Sequence, residues 1–175
     1  MYQKILVALD NSSASEALFA EALDLAQATE GALLLVHSLS NQEDNSPMPM
    51  ATQFDNIYWA PGTELDIEAW RQAWVRYENE SLDRLRRYAA TANTAGVTTE
   101  FRQLIGSPGS AICKAAQEWN ADLILIGNRG RTGLAELVLG SVSNDVMHRA
   151  PCSVLVVKAA ALEVSQQPEV AEVVG

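Results

Sequence analysis

Residues 123–149 read LILIGNRGRTGLAELVLGSVSNDVMHR. Four branched aliphatic residues, Leu123 to Ile126, open the stretch. An unbroken apolar run of that length suits a strand buried on both faces, as strands are in a parallel sheet. Glycines follow at 127, 130, 133 and 140, and Ser141 begins a helical pattern in which Val142 and Val146 lie one turn apart. The order is strand, glycine-rich loop, helix.

That order has a chemical use. Glycine lets the backbone turn tightly and approach a ligand with no Cβ in the way. Unpaired amides at a helix N-terminus, with the positive end of the helix dipole, attract an anion such as phosphate. Ser141 is placed to cap the helix or to donate its hydroxyl proton to that anion, and Ser143 in the first turn can do the same. Two phosphate loops are excluded by spelling: no lysine follows these glycines as GxxxxGK[ST] requires, and no GxGxxG is present.

What is present is Gly127-x2-Gly130-x9-Gly140-Ser141, preceded by LILI and followed, after the helix, by PCSVLVV. This pattern resembles the G-2x-G-9x-G-(S/T) signature of the ATP-binding branch of the universal stress protein family. The resemblance covers residues 2 to 158. It implies a flavodoxin-like α/β fold and a regulatory or stress-response module, usually a homodimer, that binds ATP or AMP. Mg²⁺ is a possible companion of ATP. In many members the last strands pair across the dimer axis, and Cys152–Lys158 would suit that, since an uncovered apolar edge strand invites aggregation.

The flanking sequence is built from the same units. KILVAL (4–9) is a short apolar strand ending at Asp10, and Asn11 to Ser13 make a turn. Ser13-x-x-Glu16 spells a capping box for a helix running to about Thr29, which Glu30-Gly31 stops. ALLLVHSL (32–39) is a second buried strand. A long helix is predicted from about Leu65 to Ala95, with Ile67, Trp70, Trp74, Tyr77, Leu85, Tyr88 and Ala92 recurring every three or four residues as a core-facing stripe. Arg84, Arg86 and Arg87 read as a solvated face of that helix. VTTEFRQL (97–104) alternates like an outer strand, and Ser107-Pro108 starts a helix whose buried side is Ile112, Ala115, Ala116 and Trp119. Cys113 is a small buried side chain there. After the organising stretch, Ala150-Pro151 breaks the chain and CSVLVVK (152–158) is the last strand.

Five strands alternating with four helices predict one doubly wound parallel sheet of order 3-2-1-4-5 with helices on both faces. The domain spans 1–158. It carries an insert at 41–62 that is either a surface segment packed by its aromatics or a lid or dimer contact, and a loosely held tail at 159–175. The switch point of such a sheet lies between strands 1 and 4, at their carboxyl ends. The predicted nucleotide site therefore takes Ala8, Leu9 and Asp10 from strand 1. It takes Ser38 from strand 2, Ile126, Gly127, Asn128, Arg129 and Gly130 from strand 4 and its loop, and Gly140, Ser141, Val142 and Ser143 from the helix start.

Asp10 either accepts hydrogen bonds from ribose hydroxyls or caps the first helix. The resemblance favours the ribose, because family members usually end strand 1 with an aspartate near the nucleotide. They also contact adenine from the end of strand 2 through backbone groups and an apolar side chain, often in an HV pair. Here that pair is His37-Ser38, so Ser38 departs from the pattern. His37, in an apolar strand, reads as a packed and hydrogen-bonded core residue. Arg129 and Arg131 either clamp phosphates or face solvent. Asp145, near the helix start, is placed to approach a metal but reads rather as an acid favoured by its helix dipole.

No evident general base is present, so the expected function is a nucleotide-binding regulator with slow ATP hydrolysis at most. Two other readings are a dimeric scaffold without nucleotide, against which the complete motif argues, and an adenylate-forming fold. The second requires an SGGxDS-type loop that Asp10-Asn11-Ser12-Ser13 does not supply. The net charge of −10 and pI of about 4.6 disfavour nucleic acid and anionic membranes, so an anionic nucleotide must be held by local amides. No apolar run approaches the ~20 residues of a spanning helix. Two cysteines without metal spacing, and no signal peptide, predict a reducing cytoplasm.

Overall fold

The computed structural model describes residues 2–40, 46–47, 63–128 and 140–158. In chain order the elements are β1 (Lys4–Leu9), α1 (Ala14–Thr29), β2 (Ala32–Leu39), α2 (Thr63–Thr94), β3 (Thr99–Ile105), α3 (Pro108–Trp119), β4 (Leu123–Asn128), α4 (Ser141–Arg149) and β5 (Ser153–Lys158). The strands form one parallel sheet in the order β3-β2-β1-β4-β5, as the alternation of elements predicts. Most of the insert and all of the tail lie outside the described residues.

Each buried strand sends alternate side chains into two separate cores. Ile5, Val7, Leu33, Leu35, Leu123 and Leu125 pack with α1 and α2 on one face. Leu6, Leu34, Val36, Ile124 and Ile126 pack with α3 and α4 on the other. Burial on both faces is why these segments are continuous aliphatic runs rather than alternating ones. β3, at one edge, is only half-buried along most of its length.

Helix ends follow local chemistry. Glu30 ends α1 and Asn120 ends α3, both in the left-handed conformation (φ 53° and 56°), and the next amides return to Ala26 and Ala116 carbonyls at 2.8 Å. At the end of α2, Gly96 takes φ 85° and Val97 donates its amide to the Ala92 carbonyl at 2.9 Å. Those bonds hold Val97 to the helix, so β3 starts at Thr99 and not at Val97. The Ser13–Glu16 capping box does not form: Ser13 sits in the helical region of backbone space and its side chain caps nothing. Asp10 and Ser15 close that turn instead.

The stripe on α2 is buried only from Tyr77 onward. Tyr77, Leu85 and Ala92 are in the interior, whereas Trp70 and Trp74 are half-buried and Ile67 is 46% exposed. Trp70 and Trp74 stack at 5.8 Å, and the Trp74 indole donates to Glu78 at 2.9 Å. At the amino ends of β1 and β4 the Asp122 carboxylate accepts the amides of Gln3 (2.9 Å) and Lys4 (3.2 Å), while the Asp122 amide donates to the Lys4 carbonyl at 2.9 Å.

Candidate functional site

β1 and β4 are neighbours, with Ala8 opposite Ile126, and beyond that pair they part, Leu9 staying with β2 and Gly127 and Asn128 with β5. β1 turns into α1 on one face and β4 leads toward α4 on the other. The parting opens a crevice at the carboxyl ends of the strands. Ala8, Leu9 and Asp10 line it from β1, and Val36, Ser38 and Ser40 from the end of β2. Ile126, Gly127 and Asn128 line it from β4, and Gly140, Ser141, Val142 and Ser143 from the start of α4. The crevice thus gathers eleven of the thirteen residues expected from the sequence. Arg129 and Gly130, like Arg131, lie outside the described residues.

The α4 end of the crevice is a set of backbone donors. Its N-cap is Gly140, which has no side chain to offer the first amides, and first-turn amides have no acceptor within a helix. The Gly140 amide itself donates to the Asn128 side-chain oxygen at 3.0 Å, tying the end of β4 to the start of α4. Ser143 is buried and its hydroxyl donates to the Gly140 carbonyl at 3.0 Å, so it braces the turn and does not offer its proton to an anion. Asp10 is the one charged residue among the described residues that line the crevice.

Asp10 is held by the turn that follows it. Its Oδ1 accepts the Ser12 amide at 2.8 Å, the Ser12 hydroxyl, and the Ser15 hydroxyl at 2.8 Å. Ser15 Oγ in turn accepts the Asp10 amide at 2.8 Å. The carboxylate therefore organises the start of α1, and this network fixes its direction at the crevice wall.

Alternation along β2 separates two adjacent polar residues. His37 points to the α2 side, where its Nδ1 and the Ser81 hydroxyl hydrogen-bond in the interior, as expected of a core histidine. Ser38 points to the α3 side, beneath the crevice. Asp145 does not act on its own helix start. Its carboxylate lies against Gly109 in the first turn of α3 and accepts Arg149 Nε at 2.8 Å, while Arg149 also donates to Ser110 at 3.0 Å.

Sequence reasoning did not find the α3 wall, Pro108 and Ile112, or the part played by Val36, Ser12 and Ser15. The period of two along β2 was a usable signal for Val36, because it lies on the same face as Ser38. Among the described residues, no group of three His, Cys, Asp or Glu side chains gathers as a metal site, and no helix is long and apolar enough to cross a membrane.

The universal stress protein family model matches residues 1–158. Universal stress protein Slr1101 of Synechocystis sp. (strain ATCC 27184 / PCC 6803 / Kazusa) is 46% identical over 103 residues, 59% of this chain and 95% of that one. The structure of hypothetical protein MJ0577 superposes with a TM-score of 0.68 at 23% identity, covering 90% of this chain and 96% of the other. A universal stress protein solved in complex with cAMP superposes at 0.57, with 25% identity and coverage of 90% and 98%. The chain belongs to the universal stress protein family.

Proposed function

We propose that this member of the universal stress protein family is an adenine-nucleotide-binding regulator that takes ATP or AMP in the crevice between β1 and β4. One observation carries the reading. A helix whose N-cap is Gly140, with no side-chain cap among the described residues, starts at a crevice that Val36, Ile112 and Ile126 also wall. Phosphates suit the helix start and a flat apolar base suits the aliphatic wall. Asp10, in the same lining and held by Ser12 and Ser15, is the acceptor for ribose hydroxyls. The cAMP complex of a 25% identical relative supports adenine as the base.

With a chain of net charge −10, amides rather than a general positive field hold the phosphates, and Mg²⁺ would accompany ATP. The one carboxylate lining the described crevice, Asp10, already accepts from Ser12 and Ser15, so we read hydrolysis as slow and the protein as acting by being loaded or empty. β5 supports a homodimer. It is an edge strand of the sheet with Leu155 43% exposed, and pairing with a second copy would cover it. The unpaired thiols Cys113 and Cys152 suit a reducing cytoplasm.

The test is to purify the protein without added nucleotide, denature it and identify what is released by mass spectrometry, then to titrate the empty protein with ATP and AMP. Adenine nucleotide near one per chain, or saturable binding of either below millimolar concentration, is the expected result. A chain that releases none and binds neither would be a family scaffold without nucleotide.

A further inference from the structure

A second cavity, of about 420 Å³, lies between the turn before α1 and the middle of α2, and its lining includes Ser12, Ser13, Glu16, Arg84, Arg87 and Tyr88. Arg84 and Arg87 stand three residues apart, on one face of the helix, so two like charges share the cleft. Each has an acid one turn back at the spacing that favours an ion pair, Glu80 for Arg84 and Asp83 for Arg87. Neither pair forms, and Asp83 takes Arg86 instead at 3.2 Å. Among the described residues, Arg71, Arg86, Arg102 and Arg149 each bond a carboxylate, whereas Arg84 and Arg87 bond none, not even Glu16 in the same lining. The Tyr88 ring stacks on Phe19 at 4.6 Å, and its hydroxyl has no hydrogen-bond partner among the described residues. Burial and then Glu16 push that phenol up, with Arg84 and Arg87 pulling the other way, so at neutral pH it keeps its proton and is a donor. In a chain of 22 acids and 12 bases, this cleft gathers cationic donors and leaves them without an acceptor.

We propose that the cleft is a second anion site, apart from the crevice, in which Arg84 and Arg87 clamp a phosphate dianion with the Tyr88 hydroxyl as a third donor. The planar fork of arginine matches phosphate oxygens two at a time, and bonds between ionised partners are short and strong. A bound anion also relieves the repulsion between the two guanidiniums. Ser12 lines both cavities, and its amide and hydroxyl are committed to Asp10. The cleft therefore adjoins the part of the crevice assigned above to ribose. The phosphate has two sources, inorganic phosphate or a phosphate carried on the ribose of a nucleotide seated in the crevice. Only the second source rests on the nucleotide reading.

The experiment titrates the full-length chain with inorganic phosphate, chloride holding the ionic strength constant, and follows the backbone amide resonances of residues 11–16. Saturable shifts at millimolar phosphate are expected, weakened on the order of tenfold or more in the Arg84→Gln, Arg87→Gln double variant. No saturable shift in the wild type overturns the site. So does equal saturation in the variant, which would place the anion elsewhere. Calorimetry with AMP and with adenosine 3′,5′-bisphosphate separates the sources. A tighter bisphosphate whose advantage disappears in the double variant supports the site with a ribose-borne phosphate, and equal affinities beside a positive phosphate titration support it with a free one. If phosphate binds and neither nucleotide does, the nucleotide reading falls and the cleft stands.

Discussion

The Asn128 side-chain oxygen and the Gly140 amide meet at 3.0 Å across the whole glycine-rich segment, so the last residue of β4 anchors the first residue before α4. The crevice floor and the start of α4 are thereby one unit. Asn128→Ala is expected to weaken ATP binding roughly tenfold, about 1.4 kcal/mol, by releasing the helix start. Asn128→Asp keeps an acceptor oxygen but adds a negative charge beside the phosphates. Its deficit relative to wild type should be largest at low ionic strength and shrink as salt rises. Calorimetry at two salt concentrations decides; a salt-independent deficit in Asn128→Asp would remove the electrostatic argument.

His37 and Ser81 pair inside the α2 layer, on the far side of the sheet from the crevice. Ser81→Ala should cost about 1–3 kcal/mol of stability in urea unfolding and leave the ATP affinity unchanged. A change in affinity without a change in stability would make His37 a functional residue after all.

Gly109 is small because Asp145 occupies the space beside it. A Cβ at 109 would lie 2.1 Å from the Asp145 carboxylate oxygen and 2.8 Å from its Cβ. Gly109→Ala should therefore destabilise the chain by about 1–3 kcal/mol. The Gly109→Ala, Asp145→Gly double variant should lose less than the sum of the two single losses, since removing the Asp145 side chain also removes the clash that alanine creates. Additive losses would mean that the contact does not limit the approach of α4 to α3.

Burial pushes the Cys113 thiol up, with Arg149 pulling the other way and Asp145 adding to the rise; burial, then Asp122 and Cys113, pushes Cys152 up. The unfolded chain therefore ionises its thiols first, near pH 8.5. The stability these groups contribute is intact below that pH and is lost as pH rises through their higher folded values. Both thiols should also react more slowly with an alkylating reagent at pH 8.5 in the folded protein than in urea. Equal rates would contradict the half-buried setting of the pair.

Much of the fold is legible because its signals are local. Aliphatic runs bounded by turn residues locate β1, β2, β4 and β5 to within two residues, and right-handed crossovers leave few orders for five parallel strands. The crevice follows from that order, and the spacing of Gly127, Gly130 and Gly140 names its loop. The misses have a common cause, which is competition between partners that sequence does not rank. Ser13 and Glu16 spell a capping box, but the Asp10 carboxylate and the Ser15 hydroxyl take the same turn first. Asp145 looks like an acid serving the start of its own helix, yet it pairs with Arg149 one turn on and lies against Gly109 of α3. Pro108 and Ile112 reach the crevice only because α3 packs across β2, a fact of three dimensions with no periodic trace. The aromatic stripe of α2 has the right spacing along its whole length, yet spacing does not say where the sheet beneath it stops.

The Asp122 clasp has a mechanical meaning. It binds β1 and β4 at their amino ends, through the Gln3 and Lys4 amides and the returning Asp122 amide. The crevice opens at the opposite ends of the same two strands, past the last paired residues, Ala8 and Ile126. The two strands work as a spring clip, pinned at the heel and parted at the jaws. The heel is fastened by a side chain as well as by the backbone, whereas past Ala8 and Ile126 the tips hold to β2 and β5 and no longer to each other.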